Sequence, residues 1–121
     1  MYSHEVKDRL EDILDSIELI EEWSKGMTEL SDVMISPNRV MAFNACVMRL
    51  QVIGEHVGKL LKEGSKPLEK YENIPWNAIY GLRNIISHEY ANIDETIVVS
   101  VINDDLPPLK SVIKEMLANP K

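Results

Sequence analysis

The chain carries a single cysteine, Cys46, which excludes an intramolecular disulfide framework and offers no thiolate cluster for a metal. No apolar run approaches the ~18 residues that a membrane helix needs. The opening residues, Met1-Tyr2-Ser3-His4-Glu5-Val6-Lys7, lack the apolar core of a signal peptide. By exclusion, a cytoplasmic location is expected. Internal repeats and low-complexity segments are also missing. Positive charge is scarce: 13 Lys and Arg stand against 20 Asp and Glu, a net charge of −7. Proteins that coat nucleic acid without specificity are usually basic. Any RNA contact made by this chain must therefore be local, transient or helped by dimerisation, and the acidity could equally serve solubility alone.

What is present suits one domain, residues 1–121, with one modest core: the chain has 121 residues, and 45% of them are hydrophobic, too many for a disordered tail. Val6, Leu10, Ile13, Ile17 and Ile20 step by four and three, which predicts an amphipathic helix from about Ser3 to Lys25, stopped by Gly26. Residues 27–35 read as a connector of uncertain form. Ser36 and Pro37 supply a cap and a first helical residue for a second helix. Its main stripe is Val40, Phe43, Val47, Leu50, Gly54, Val57 and Leu61, and a second strip, Met41, Ala45, Met48 and Val52, lies on another face. A helix apolar on two faces is central in its bundle or shared with a second subunit. Gly54 inside the stripe predicts close approach of a neighbouring helix.

Residues 64–73 read as a loop, followed by a third helix from about Pro75 to between His88 and Ala91, with Ile79, Leu82 and Ile86 inward. Asn92 or Asp94 can cap the next segment, with Glu95 closing a capping box behind Asn92. The β-branched stretch from Thr96 to Ile102 favours a strand locally. A lone strand in a helical chain has no partner, so a helix is expected there. Asp105-Leu106-Pro107-Pro108 then kinks or restarts the chain before a last stripe of Leu109, Val112, Ile113 and Met116. The sum is an all-α fold, an antiparallel bundle of four to five helices.

The stretch with chemical content is Arg83-Asn84-Ile85-Ile86-Ser87-His88-Glu89-Tyr90. Arginine presents a fixed fork of donors to phosphate, and histidine moves a proton near neutral pH. Together they suffice to break an RNA phosphodiester without a metal. The ribose 2′-hydroxyl would serve as nucleophile, His88 as general base or acid, and Arg83 as the stabiliser of charge on the nonbridging oxygens. Asn84 lies one turn before His88 and could orient the imidazole or donate to phosphate, while Tyr90 could hold ribose or base. On a straight helix Arg83 and His88 stand ~140° apart and ~7.5 Å along the axis, so they converge only if the last turn loosens. The plainer reading is that Arg83 pairs with a surface carboxylate and His88 caps the helix C-terminus.

Val52-Ile53-Gly54-Glu55, Ile74-Pro75-Trp76, Gly81-Leu82-Arg83-Asn84, His88-Glu89-Tyr90 and Asp105-Leu106-Pro107 occur in an order that resembles the HepT-like branch of the HEPN superfamily. The R-x4-H-x-Y signature is intact at Arg83, His88 and Tyr90. The resemblance implies a helical homodimer whose two signatures face a shared cleft. It further implies a metal-independent endoribonuclease that needs no cofactor, the toxin of a type VII toxin–antitoxin pair. Its partner would be an MntA-like nucleotidyltransferase that transfers AMP to Tyr90. A phosphate-bearing phenol would place negative charge and bulk beside Arg83 and block RNA. The chain departs from the family pattern at His56, at Ala91 and at Val98-Val99, where alanine, an aromatic residue and tryptophan are frequent.

Other residues have plainer expectations. Glu55 could pair with Arg83 or another cation and hold the site together. His56 could point into the dimer cleft, though a polar side chain at a packed interface is the simpler reading. Arg49 could extend an RNA path or form a solvated salt bridge. Trp76 and Cys46 read as packing residues, and His4 carries no signal. A noncatalytic dimer that holds a nucleotidyltransferase subunit is the competing function. A purely structural bundle leaves the polar cluster at the helix end unexplained.

Overall fold

A computed structural model describes residues 2–89 and 92–119, with the backbone alone for residues 87–89. Every regular element among the described residues is helical. They are α1 (His4–Trp23), α2 (Leu30–Val33), α3 (Pro37–Leu61), α4 (Trp76–Glu89), α5 (Glu95–Ser100) and α6 (Leu106–Ala118), with a π-helical turn, Val101–Asp105, joining the last two. None of these helices is long and apolar enough to cross a membrane.

The α1 stripe falls where its period puts it. Val6, Leu10, Ile13, Ile17 and Ile20 are all buried, each worth about 1.5–3 kcal/mol relative to exposure. The Ser3 hydroxyl accepts the Val6 N–H and starts the helix. The chain turns away at Gly26, which adopts φ +81°, a left-handed conformation that a side chain disfavours. The connector that follows holds the single turn of α2, where the Asp32 carboxylate accepts the N–H groups of Thr28 and Glu29. These bonds hold its carboxyl below the ordinary range.

Helix α3 starts on the Ser36 hydroxyl, which accepts the Arg39 N–H, with Pro37 in the first turn. It packs along both α1 and α4, while α6 packs on α1. Phe43, Val47, Leu50, Gly54 and Val57 are buried as the spacing requires, joined by Cys46, Ile53 and Leu60. The second strip faces outward instead, with Met41 67% and Met48 57% exposed. After α3, the Trp76 indole N–H donates to the Tyr71 carbonyl at 2.8 Å and ties the loop to the start of α4.

The β-branched stretch is helical, as expected, but Asp94 alone caps it, accepting the N–H groups of Thr96 and Ile97. The capping box behind Asn92 is not the start of this helix. The restart at the prolines takes the form of the π turn. Pro107 and Pro108 bring no N–H, so the normal four-residue bonds to the carbonyls of Asn103 and Asp104 cannot form. The Leu106 N–H reaches back five residues to the Val101 carbonyl. The Asn103 amide steadies the widened turn by donating to the carbonyls of Val99 (2.9 Å) and Met27 (3.0 Å). Leu109, Val112, Ile113 and Met116 are buried.

Candidate functional site

Two glycines one turn apart bring α4 against α3. A Cβ on Gly54 would stand 3.1 Å from both the Arg83 Cβ and the Ile79 carbonyl oxygen, and 3.2 Å from the Arg83 nitrogen. Such distances are tighter than ordinary Cβ contacts, so a side chain there would push on the α4 backbone. A Cβ on Gly58 would overlap the Tyr80 ring. The close approach expected from Gly54 is therefore present, and the residue it seats is Arg83. Tyr80 and Arg83 are three apart on α4 and share a face.

Beside this contact lies a cleft of about 140 Å³ lined by Glu55, Gly58, Lys59, Lys62, Tyr80 and Arg83. Arg83 is half-buried, and the lysines and Glu55 are exposed. Among the described residues, Arg83, Lys59, Lys62 and Glu55 form no ion pair. Lys62 Nζ stands 5.9 Å from the centre of the Tyr80 ring, a cation–π distance. Glu55 and Arg83 thus line one cleft without the salt bridge expected between them. The surface pairing that offered a plain account of Arg83 is not made among the described residues either.

Asn84 and Ile85 follow on the exposed side of α4. The helix runs on through Ser87, His88 and Glu89 without the loosened turn considered near His88. The backbone keeps Asn84 one turn from His88 and leaves Arg83 and His88 ~140° apart about the axis. The side chain of His88 and all of Tyr90 and Ala91 lie outside the described residues, so the roles expected of His88 and Tyr90 rest on the signature itself.

His56 goes elsewhere. Its Nδ1 accepts from the Arg9 guanidinium at 3.2 Å, and its Nε2 lies 3.6 Å from the Asp12 carboxylate, so the imidazole bridges α3 to α1. Arg9 in turn donates to Glu5 at 3.2 Å. Burial pushes the His56 pKa down, opposed by Asp12, helped by the positive Arg9 and opposed again by Glu55. This is the polar contact at a packed interface, made within the chain, and not a group aimed into the Arg83 cleft. Arg49 is half-buried and makes no salt bridge among the described residues. Cys46 is buried, its thiol pushed up to about 11 by desolvation. Among the described residues no group of three or more His, Cys, Asp or Glu side chains gathers as a metal site would require.

The cleft residues that the sequence did not single out are Gly58, Lys59, Lys62 and Tyr80. Their signal was the Glu55, Lys59, Lys62 spacing of four and three, one face of α3. Lysines in the last turn of a helix also read as ordinary complements to its dipole, which hid them.

A family described as ribonuclease HepT-like matches residues 13–116. The chain is 35% identical over 112 residues to a protein of Caldanaerobacter subterraneus subsp. tengcongensis named as a candidate RNase, spanning 93% of this chain and 94% of that one. It is also 35% identical over 113 residues to a Methanocaldococcus jannaschii protein named as a gamma-glutamylcyclotransferase and candidate RNase. That match covers 93% of this chain and 48% of the relative, so the chain spans about half of that protein's length. A Thermococcus cleftensis protein named as a probable ribonuclease HepT is 29% identical over 110 residues, covering 91% of this chain and 94% of its own. No solved structure matches significantly.

Proposed function

Because the chain belongs to the ribonuclease HepT-like family, we propose that it is a metal-independent endoribonuclease with Arg83 and His88 as its catalytic pair. The observation that carries the reading is Arg83, without an ion pair among the described residues and seated by Gly54 at the wall of a cleft with two further cations. His88 takes the proton of a ribose 2′-hydroxyl, whose oxygen attacks the adjoining phosphorus. The P–O5′ bond breaks, leaving a 2′,3′-cyclic phosphate and a 5′-hydroxyl that recovers a proton. Arg83 stabilises the charge gathering on the nonbridging oxygens. Asn84 supports His88 from one turn away, and Glu55 supports the site by setting the charge of the cleft.

The regular course of α4 to Glu89 favours a site assembled from two chains, each giving one member of the pair. Met41, Met48 and Ile85, the last 51% exposed beside Asn84, are large apolar side chains left exposed and available to such a homodimer contact. In this reading the cytoplasmic dimer is a toxin. An MntA-like nucleotidyltransferase antitoxin silences it by adding AMP to Tyr90, which sets a phosphate against the arginine.

Purified protein should cut single-stranded RNA in EDTA, and RNA with a 2′-deoxy sugar at the cleaved position should resist. His88→Ala should lower cleavage by about 10²- to 10⁴-fold with helical content unchanged. Cleavage that survives His88→Ala removes the assignment. A mass increase of one or more AMP units on Tyr90 after co-expression with the antitoxin tests the regulation. A constitutive complex with the transferase and no nuclease activity would instead support the noncatalytic module.

A further inference from the structure

The R-x4-H-x-Y signature accounts for the reacting phosphate and leaves Lys59, Lys62 and Tyr80 of the cleft without a task. Glu55, Lys59 and Lys62 repeat at four and three, so they project along one face of α3 opposite Tyr80 and Arg83. Three cations elsewhere are paired with carboxylates, Arg9 with Glu5, Lys25 with Glu22 and Lys110 with Glu21, and none of these lines the cleft. In a chain with 20 acids and 13 bases, a cleft that gathers Lys59, Lys62 and Arg83 around the single carboxylate Glu55 among the described residues is a local reversal of sign. The Tyr80 ring packs with one edge against Gly58, under the Lys62 ammonium, and lines the same cleft as Arg83. Cations interleaved with an aromatic platform are what single-stranded nucleic acid requires: the charges track the backbone and the ring stacks a base.

We propose that Lys59, Lys62 and Tyr80 form a subsite for the nucleotide adjoining the scissile phosphate, the two lysines holding its phosphate and Tyr80 stacking its base. This rests on the ribonuclease reading and adds to it where the strand runs: from Arg83 along the groove between α3 and α4 toward the end of α3. The subsite explains how an acidic protein grips RNA. Two or three charges grip it locally, and the remaining surface repels it.

The test separates binding from cleavage. A fluorescent single-stranded 2′-O-methyl RNA, which lacks the nucleophile, is titrated by anisotropy over a range of salt against full-length protein. Lys59→Gln with Lys62→Gln removes two phosphate contacts. The slope of log affinity against log salt should fall by about 1.4, and affinity should drop roughly 25-fold at about 0.1 M monovalent salt. Both lysines are exposed, so helical content should hold. Lys59→Arg with Lys62→Arg should restore the slope. Tyr80→Leu should weaken binding about fivefold or more, whereas Tyr80→Phe should not. With cleavable RNA, the double glutamine variant should raise KM and leave kcat unchanged. An unaltered slope in that variant, while Arg83→Ala still abolishes cleavage, overturns the subsite and leaves the nuclease standing. A loss confined to kcat also overturns it. If the unmodified protein binds no RNA at all, the subsite and the nuclease reading fall together.

Discussion

Glu55 and His56 are neighbours in sequence and belong to different parts of the molecule. His56 turns to α1, where Arg9, Asp12 and, through Arg9, Glu5 satisfy its polar atoms. Glu55 turns to the α4 side, where the charged groups of the cleft stand without partners among the described residues. One residue along a helix is a rotation of ~100°, enough to separate a brace from a binding surface. Where polar groups are matched to one another, a substitution should cost stability. Where they are left unmatched beside a cavity, it should cost binding or chemistry, because the partner is absent from the folded chain.

Arg83→Ala puts that distinction to its hardest test. Cleavage should fall by about 10²- to 10³-fold, the range for losing a preorganised donor to a developing oxyanion. The unfolding midpoint should stay in place, since no ion pair among the described residues is lost. A variant that unfolds more readily, with activity falling only in proportion to the folded fraction, would make Arg83 a brace like His56.

Next comes the seat of Arg83. Gly54→Val should destabilise the fold by about 1–3 kcal/mol, the usual cost of overpacking. Its Cβ would press on the backbone of Ile79 and Arg83, which cannot swing aside. The same change at Gly58 should cost less in urea unfolding, because the obstacle is the half-buried Tyr80 side chain, which can rotate outward. Equal losses would mean that the Tyr80 ring is as fixed as the α4 backbone.

Much of this arrangement was legible beforehand, and for definite reasons. The α1 stripe and the last stripe on α6 follow a 3.6-residue period, so all nine of their named apolar residues are buried. Ser36-Pro37 announces a helix start through its chemistry, and Gly54 announces a close contact through the side chain it lacks. Four residues of α2 are too few to show a period. The outward face of Met41 and Met48 depends on which neighbours pack on α3, which periodicity does not encode. Asp94 outcompeted Asn92 as a cap because its carboxylate, one residue before α5, accepts the N–H groups of Thr96 and Ile97. At the site, motif spacing placed Arg83 and Asn84 correctly on α4. The lysines were missed because their pattern coincides with ordinary helix-end charge. For His56 the simpler expectation, a polar side chain at a packed interface, matches the structure, because helical rotation sends it to α1.

The brace should show itself in pH dependence. The folded-state pKa of His56 is depressed, chiefly by burial. Above the ordinary histidine value of about 6.5 both folded and unfolded chains hold it neutral. As pH falls through that value the unfolded chain takes up a proton that the folded chain resists, so stability declines until the folded pKa is passed. Urea midpoints measured from about pH 7.5 to 5.5 should therefore drop more in the unmodified protein than in His56→Gln. Parallel curves would show that the imidazole is not held neutral between Arg9 and Asp12.

The smallest effect belongs to the residue next door. Glu55→Gln removes a carboxylate that forms no ion pair among the described residues, so the unfolding midpoint should not move. It also removes the one negative charge that, among the described residues, lines a cleft with three positive ones. Affinity for 2′-O-methyl RNA should then rise by a few-fold, with the gain fading as salt screens the cleft. Weaker binding would carry the opposite lesson: that Glu55 steers the cations and its charge is repaid through their alignment. The two neighbours would then differ in what they hold, His56 a helix and Glu55 a guanidinium, and the unmatched face of α3 would be preorganised by repulsion balanced against attraction.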